Sequence, residues 1–213
     1  MKKKNSPPFE QPQDSQLLRR NMRRQRRELS VHFRRRAGRS VVRHVRKQPA
    51  FIQAKAVGLY LDAFGELPTQ ALMQLCFALR KSVYLPVVIS NHQPLAWARI
   101  YQQRQRFTKH RFGMQQPTRQ RGLSVTHLDV LFMPLVAFDR MGQRLGMGGG
   151  FYDRTLSICV KAPMNGKRHH GHHYKKPLRI GLAYDFQQVG QLQQNSWDVP
   201  LHAVTTPTRH YRF

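Results

Sequence analysis

The chain has few acidic residues, only two cysteines and no long apolar run. Its 213 residues include 10 Asp and Glu against 37 Lys and Arg, a formal charge of +27. No apolar run approaches the ~18 residues of a membrane span, and the basic N-terminus lacks the apolar core of a signal peptide. Cys76 and Cys159 lie in apolar, periodic contexts, which favours core thiols over a disulfide or a metal site. These absences favour a cytoplasmic domain.

The positive charge is concentrated between Arg19 and Arg46, with smaller clusters at 99–111 and 167–176. Such an excess first suggests binding to nucleic acid or another polyanion. No RNP-type aromatic motif, Cys/His finger or convincing helix-turn-helix accompanies it. The last cluster contains four histidines in five positions, but it has no cysteine or carboxylate and its flanking lysines oppose a cation. We therefore interpret it as a solvated loop.

The hydrophobic pattern predicts one domain of alternating strands and helices. Residues 1–14, rich in Pro, Gln and Lys, are typical of a disordered lead, and residues 161–177 form a predicted loop. A helix is predicted from Ser15 to about Arg46, with Gly38 as the place where it would break. A second helix is predicted at 68–79, and strands at 56–61, 83–89, 95–100, 128–137, 180–184 and 203–205. This order indicates an α/β domain with a largely parallel sheet over residues 15–213.

The most informative segment is the glycine-rich stretch from Arg144 to Asp153, which directly follows an apolar run at 131–138. Its glycines permit positive φ and close backbone approach, so that successive N–H groups can face one anion. A helix predicted to begin at about Phe151 adds the positive end of its dipole. Arg144 supplies a cation for phosphate oxygens, and Asp153 is placed to bind the magnesium ion of a nucleotide. The segment predicts a polyphosphate site.

Two common phosphate motifs do not fit this segment. No Lys-Ser or Lys-Thr follows the glycines, and Phe151 stands where the dinucleotide fingerprint has its third glycine. A glycine-rich turn alone is also consistent with a flexible connection between a strand and a helix. The Arg, Tyr and Asp residues at fixed offsets favour a functional site.

The segment from Phe138 to Arg154 resembles the signature of the 5-formyltetrahydrofolate cyclo-ligase family. Four further segments resemble that family in the same order, at 18–30, 58–69, 181–187 and 197–206. The resemblance implies a single three-layer α/β/α domain. It also implies ATP-dependent conversion of 5-formyltetrahydrofolate to 5,10-methenyltetrahydrofolate, with release of ADP and phosphate. Phosphorylation of the formyl oxygen followed by attack of N10 needs placement and charge neutralisation rather than a protein nucleophile.

The resemblance further implies roles for individual residues. Arg144 and Tyr152 would serve catalysis. ATP would contact Arg19, Arg23, Arg144, Leu145, Gly146, Met147, Gly148, Gly149, Gly150, Phe151 and Tyr152. The folate would contact Leu61, Glu66, Met147, Gly148, Gly149, Gly150, Phe151 and Tyr152. Glu66 would accept hydrogen bonds from the pterin's donor edge, and Asp153 and Asp198 would hold Mg²⁺.

Ordinary structural roles compete with several of these assignments. Leu61 and Phe151 are also typical of a core, Tyr152 of helix packing, Asp198 of a turn, and Arg19 of a solvated helix face. We expect Arg144 not to be buried in the absence of its ligand. The chain departs from the family pattern at three positions, where it carries Ser15, Gln116 and Met147.

The expected partners are ATP and 5-formyltetrahydrofolate, with or without a polyglutamate tail, and no membrane. We expect a monomer, and the high positive charge makes nonspecific polyanion binding an additional expectation. The competing hypothesis from another class is a basic RNA-binding or ribosome-associated protein. Its glycine loop would then be a structural relic or a simple anion site.

Overall fold

The computed structural model describes residues 14–101, 106–110, 113–118, 122–161 and 177–213. The predicted disordered lead and nearly all of the predicted His-rich loop lie outside the described residues. The helices are α1 (Ser15–Glu28), α2 (Val31–Val45), α3 (Pro49–Gln53), α4 (Gln70–Ala78) and α5 (Phe151–Lys161). The strands are β1 (Ala56–Gly58), β2 (Ser82–Val87), β3 (Ala96–Ile100), β4 (Phe107–Lys109), β5 (Gln115–Pro117), β6 (Val130–Pro134), β7 (Ala137–Phe138), β8 (Arg144–Leu145), β9 (Leu178–Leu182), β10 (Ala203–Thr205) and β11 (His210–Arg212).

Seven strands form one central sheet in the order β11-β10-β9-β6-β1-β2-β3. Neighbouring strands from β10 to β2 are parallel, whereas the two edge strands, β3 and β11, are antiparallel to their neighbours. In this register Val57 of β1 lies between Val83 of β2 and Val130 of β6. The prediction of a largely parallel sheet is confirmed.

The sheet is covered on both faces because its central strands are apolar on both faces. On β6, Val130 and Phe132 pack in a cluster with α2, α3 and α4. The alternate residues Leu131 and Met133 pack in a second cluster with Leu156 of α5. The predicted three-layer α/β/α arrangement is therefore confirmed.

The predicted first helix is two helices, and the break is not at Gly38. It falls at Leu29 and Ser30, where the Ser30 side chain accepts a hydrogen bond from Phe33 N and caps α2. Gly38 lies inside α2, and a Cβ there would lie 2.9 Å from Pro68 O. This glycine permits close packing between α2 and the segment before α4 rather than breaking the helix.

Helix α1 packs at one end of the sheet, where the functional residues gather. Leu18 and Met22 contact a small cluster with Val136, Ala137 and Leu145, next to the glycine-rich segment. Cys76 and Cys159 are free and buried, as predicted. In the described part of the chain, no helix is long and apolar enough to cross a membrane.

Candidate active site

A cavity of about 630 Å³ lies where several parallel strands end. Its walls come from α1, from the segments after β1, β2 and β6, from the glycine-rich segment, and from residues 192–198. The carboxyl ends of parallel strands are the usual place for a ligand in α/β sheets. Every residue that the sequence analysis assigned to the site lines this cavity.

The glycine-rich segment forms a turn that leads into α5. Gly148 has φ +96° and Gly150 has φ +63°, which is the left-handed region that side chains disfavour. At Gly150 a Cβ would also lie 2.6 Å from Arg154 Nη1. Because α5 begins at Phe151, as predicted, the N-terminal end of its dipole faces this turn. Positive φ at two glycines before a helix is a backbone geometry in which successive N–H groups can face an anion.

Arg154 holds this turn in place, a role that the sequence did not suggest. Its Nη2 donates to Gly149 O and to Asn91 O, both at 2.8 Å. Its guanidinium also lies 5.0 Å from the centre of the Phe151 ring. Arg154 therefore ties the glycine turn to the loop after β2.

Arg144 is buried, which contradicts the expectation that it would not be. Its side chain is 6% exposed, and Nη2 lies 2.5 Å from Asp153 Oδ1 in one of the two ion pairs of the described residues. The two residues face each other across the glycine turn, from β8 and the first turn of α5. The pairing keeps Arg144 at the cavity wall without a ligand, and its Nε has no partner among the described residues.

Asp153 and Asp198 both line the cavity wall. Val199, the residue after Asp198, donates its N–H to Asp153 Oδ1 at 3.4 Å, which joins the two segments. Asp198 uses Oδ2 to accept hydrogen bonds from Asn195. No described residue donates to Asp153 Oδ2 or Asp198 Oδ1. Magnesium in nucleotide sites takes one or two carboxylates and completes its shell with water and phosphate, so this pair fits the ion.

Two arginines of α1 reach the same end of the cavity, as predicted. Arg19 Nε donates to Gly146 O at 2.9 Å, which excludes the alternative that Arg19 is merely a solvated residue. Arg23 lies one turn further along the helix and lines the cavity, and its buried Nε has no partner among the described residues. With Arg144, three arginines lie at this end against the carboxylates of Asp153 and Asp198, which leaves it a net positive charge.

Glu66 lines the cavity from the turn after β1, which forms a second end distinct from the glycine turn, and the residue is only partly buried. Its Oε2 accepts a hydrogen bond from Ala63 N at 3.1 Å. Burial raises the pKa of Glu66 from 4.5 to about 7, although the Ala63 hydrogen bond and the positive charge of Arg26 act against burial. A partly buried carboxyl with few partners is suited to binding the donor groups of a ligand.

Four predicted contact residues line the cavity between its two ends: Leu61, Met147, Phe151 and Tyr152. Burial raises the pKa of Tyr152, Glu66 raises it further, and Arg144 opposes both. Tyr152 is therefore within electrostatic reach of both ends of the cavity. Leu61, Phe151 and Tyr152 also pack against the core, so their structural and cavity-lining roles coexist.

Arg26 is a residue near the site that the sequence analysis missed. It is 1% exposed, and it donates from Nη1 to Leu135 O at 3.4 Å and from Nη2 to Met147 Sδ at 3.9 Å. Gly65 packs against its backbone, since a Cβ at Gly65 would lie 2.9 Å from Arg26 O. The sequence did contain a signal that could have identified Arg26. Its helical spacing from Arg19 and Arg23 places all three residues on one face of α1.

The three departures from the family pattern, Ser15, Gln116 and Met147, all line the cavity. Gln116 accepts a hydrogen bond from Val88 N at 3.1 Å, so it holds β5 beside the end of β2 as a neutral residue.

Comparison with known proteins identifies the family of the chain. The model of the 5-formyltetrahydrofolate cyclo-ligase family matches residues 11–207. The chain is 38% identical to a 5-formyltetrahydrofolate cyclo-ligase of Haemophilus influenzae over 194 residues, covering 90% of this chain and 97% of that protein. It is 35% identical to the Escherichia coli K12 protein of the same name, covering 88% of this chain and 97% of that protein.

A solved structure is similar to this fold over nearly its whole length. The NMR structure of 5,10-methenyltetrahydrofolate synthetase from Aquifex aeolicus matches with a TM-score of 0.75 and 28% identity, covering 93% of this chain and 92% of that chain. The sequence resemblance is thereby confirmed. The chain belongs to the 5-formyltetrahydrofolate cyclo-ligase family, whose members are ATP-dependent ligases.

Proposed function

We propose that this cavity converts 5-formyltetrahydrofolate to 5,10-methenyltetrahydrofolate at the expense of ATP. One observation carries the assignment of the two substrates within it. The cavity has a basic end, formed by Arg19, Arg23 and Arg144 around the glycine turn, and a second end, the turn after β1, which carries the partly buried carboxyl of Glu66. A polyphosphate suits the first end, and a ring with N–H donors suits the second.

The ATP phosphates would lie against the backbone N–H groups of residues 146–150 and the N-terminal end of α5. Arg19 and Arg23 would neutralise phosphate charge from α1. Arg144 would stabilise the charge on the transferred phosphoryl group, because its position is already fixed by Asp153. Such a preorganised donor does not have to reorganise during the reaction.

Magnesium would be held by Asp153 and Asp198, and it would supply charge neutralisation for the phosphates. The free oxygens of the two carboxylates, Asp153 Oδ2 and Asp198 Oδ1, are the candidate ligands. Asp153 has a second role, since Oδ1 keeps Arg144 in place. Asp153 would therefore position both the magnesium ion and Arg144.

The chemistry proceeds in two steps on the substrates. The formyl oxygen attacks the γ-phosphorus of ATP, the bond to the bridging oxygen breaks, and ADP leaves. The folate's N10 then attacks the activated formyl carbon, its proton is lost, and inorganic phosphate leaves. The cavity contributes alignment and exclusion of water, with Tyr152 between the two ends and Leu61, Met147 and Phe151 along the walls.

The direct test is to mix the protein with ATP, Mg²⁺ and 5-formyltetrahydrofolate and to record the absorbance of methenyltetrahydrofolate. We expect one ADP for each methenyltetrahydrofolate formed, and no ADP above background when the folate is omitted. ADP release without the folate, or an unchanged folate, would contradict the proposal.

The expected monomer is checked by light scattering. The buried free thiols support the expected reducing cytoplasm.

A further inference from the structure

The positive charge of the chain is not explained by the cavity alone. Helix α2 contributes none of the residues that line the cavity. It nevertheless carries five arginines and no acidic residue between Val31 and Val45. The exposed side of this helix needs a separate physical account.

The exposed arginines of α2 form one continuous ridge. Arg35, Arg39 and Arg43 follow one another at intervals of four residues, and Arg46 at the C-cap continues the row. All four are exposed, and at about 100° per residue they lie within roughly 80° of one another around the helix. At about 1.5 Å per residue the row is about 16 Å long. We call these four residues the α2 ridge.

No described carboxylate forms an ion pair with the α2 ridge. The two ion pairs found in the described residues join Arg24 to Glu28 and Arg144 to Asp153. Within the ridge, Arg43 donates to Ser40 Oγ at 2.8 Å, which orients one guanidinium without neutralising it. A row of unneutralised like charges repels itself, so an anionic partner would relieve that repulsion.

The C-terminal strand extends the positive surface beyond the end of α2. Arg212 is exposed and donates from Nη2 to Gln48 Oε1 at 3.0 Å, and the His44 ring lies 3.2 Å from Pro207 O. These contacts fix β11 beside the C-terminal end of the ridge. Burial is the main cause that lowers the pKa of His210 to about 4, and the nearby Arg212 and His44 lower it further.

We propose that the α2 ridge, together with Arg212, is a second binding surface that holds the phosphate backbone of nucleic acid without reading its sequence. Arginine presents a planar fork of donors that matches phosphate oxygens. A row about 16 Å long can contact several successive phosphates. The surface carries no base-stacking aromatic among the ridge residues, so it contacts the backbone rather than the bases.

An anionic membrane is a poorer fit to the same ridge. A helix that binds a lipid surface inserts an apolar face. Along the length of the ridge, the apolar residues Ala37, Val41 and Val45 are already buried in the core, and the exposed Val31 and Phe33 lie before the ridge begins. The ridge therefore offers charge alone, which favours nucleic acid.

The test uses two triple variants that lose the same charge. The ridge variant is Arg35→Gln/Arg39→Gln/Arg43→Gln. The control is Arg80→Gln/Arg99→Gln/Arg140→Gln, which removes three exposed arginines from separate parts of the fold. Binding of a labelled single-stranded RNA of roughly 20 nucleotides is measured by fluorescence anisotropy across a salt titration. A turnover assay on the same preparations checks that the cavity is intact.

We expect the ridge variant to bind RNA at least about tenfold more weakly at low salt. Its slope of log affinity against log salt should fall by about two units, since each lost phosphate contact contributes about 0.7. The control should change both quantities much less, and turnover should stay within about threefold in both variants. Equal losses in the two variants, or unchanged binding in the ridge variant, would overturn the proposal. Ridge-dependent binding to phosphatidylserine vesicles or to polyglutamate, without binding to RNA, would overturn it in favour of a membrane or an acidic protein.

Discussion

The arginines around the cavity, from α1 and β8, and those of the α2 ridge have contrasting environments. Arg26 and Arg144 are buried, and Arg19 donates to the glycine turn. Arg35, Arg39 and Arg46 are exposed and have no partner among the described residues. The same formal charge therefore has different surroundings in the two places. In the cavity, the exclusion of water strengthens the electrostatic interactions of each arginine, and its contacts fix its position. On the ridge, solvent and salt screen these interactions.

The few acidic residues add to this contrast, because several of them accept hydrogen bonds from backbone N–H groups. Asp139 is buried and accepts hydrogen bonds from the N–H groups of Met141, Gln143 and Leu192. Asp129 accepts from the N–H groups of Lys55 and Ala56 at the start of β1. Few carboxylates are left to neutralise the surface arginines. The high net charge is thus a property of the surface rather than of the core.

The largest expected effect is on Arg144, the most constrained charge of the cavity. Arg144→Ala should lower turnover on the order of 10²-fold or more, because it removes a fixed cation from the phosphate end. It should also destabilise the fold, since it leaves Asp153 partly buried and unpaired. The matched variant Arg144→Ala/Asp153→Asn should recover much of the stability in a thermal unfolding experiment and none of the turnover. Normal turnover in either variant would remove Arg144 from the mechanism.

The next largest effect concerns Glu66, at the second end of the cavity. Glu66→Gln should weaken folate binding by roughly 10- to 100-fold, as expected for the loss of a charge-assisted hydrogen bond. ATP affinity should barely change, because the ATP phosphates would contact the glycine turn rather than Glu66 in the proposed arrangement. Isothermal calorimetry with each ligand separates the two results. A fall in ATP affinity with unchanged folate affinity would reverse our assignment of the two ends.

Glu66 also makes the stability of the unliganded protein depend on pH. The folded-state pKa of about 7 lies above the ordinary 4.5, so the folded state disfavours the ionised form. The free energy of unfolding should therefore fall as pH rises between these values. Relative to Glu66→Gln, the wild type should lose about 2 kcal/mol between pH 5 and pH 8. Denaturant titrations of both proteins at the two pH values measure this difference, and parallel pH dependence would show that Glu66 is not buried as described.

The smallest effect is expected for Arg26, which acts on the cavity through Glu66. Arg26→Met should raise the pKa of Glu66 further by removing a nearby positive charge. Folate binding should then be severalfold weaker at pH 7 and should recover at pH 8.5, whereas Arg26→Lys should resemble the wild type. Leu135 O keeps its hydrogen bond from Gln187 Nε2 in either variant. A loss of affinity that is the same at both pH values would indicate a purely structural role.

Much of the fold was predictable because local patterns and tertiary structure agree. The apolar run at 128–137 corresponds to β6 and β7, and the glycine segment leads into α5 at Phe151. The break in the first helix was misplaced because a glycine in sequence does not reveal whether a second segment packs on it. Gly38 faces Pro68, whereas Ser30 provides the cap that starts α2. Only the tertiary contact distinguishes the two.

The residues of the site were predictable where a motif contains them, and less so where burial decides their chemistry. The glycine turn and Asp153 follow from spacing. The burial of Arg144, the raised pKa of Glu66 and the position of Arg26 depend on how α1, β8 and the turn at Ala63–Glu66 pack together. The arginine-rich sequence alone does not show that Arg26 is buried and Arg27 is exposed.

The most direct test of the contrast between cavity and ridge compares two variants that each remove two arginines from one helix. Arg19→Gln/Arg23→Gln alters the cavity from α1, and Arg35→Gln/Arg39→Gln alters the ridge of α2. Turnover of 5-formyltetrahydrofolate is measured for both at the same moderate salt. We expect the first variant to lose on the order of 10²-fold, and the second to stay within about threefold. Equal losses would show that net charge rather than geometry governs the reaction, and would contradict the account.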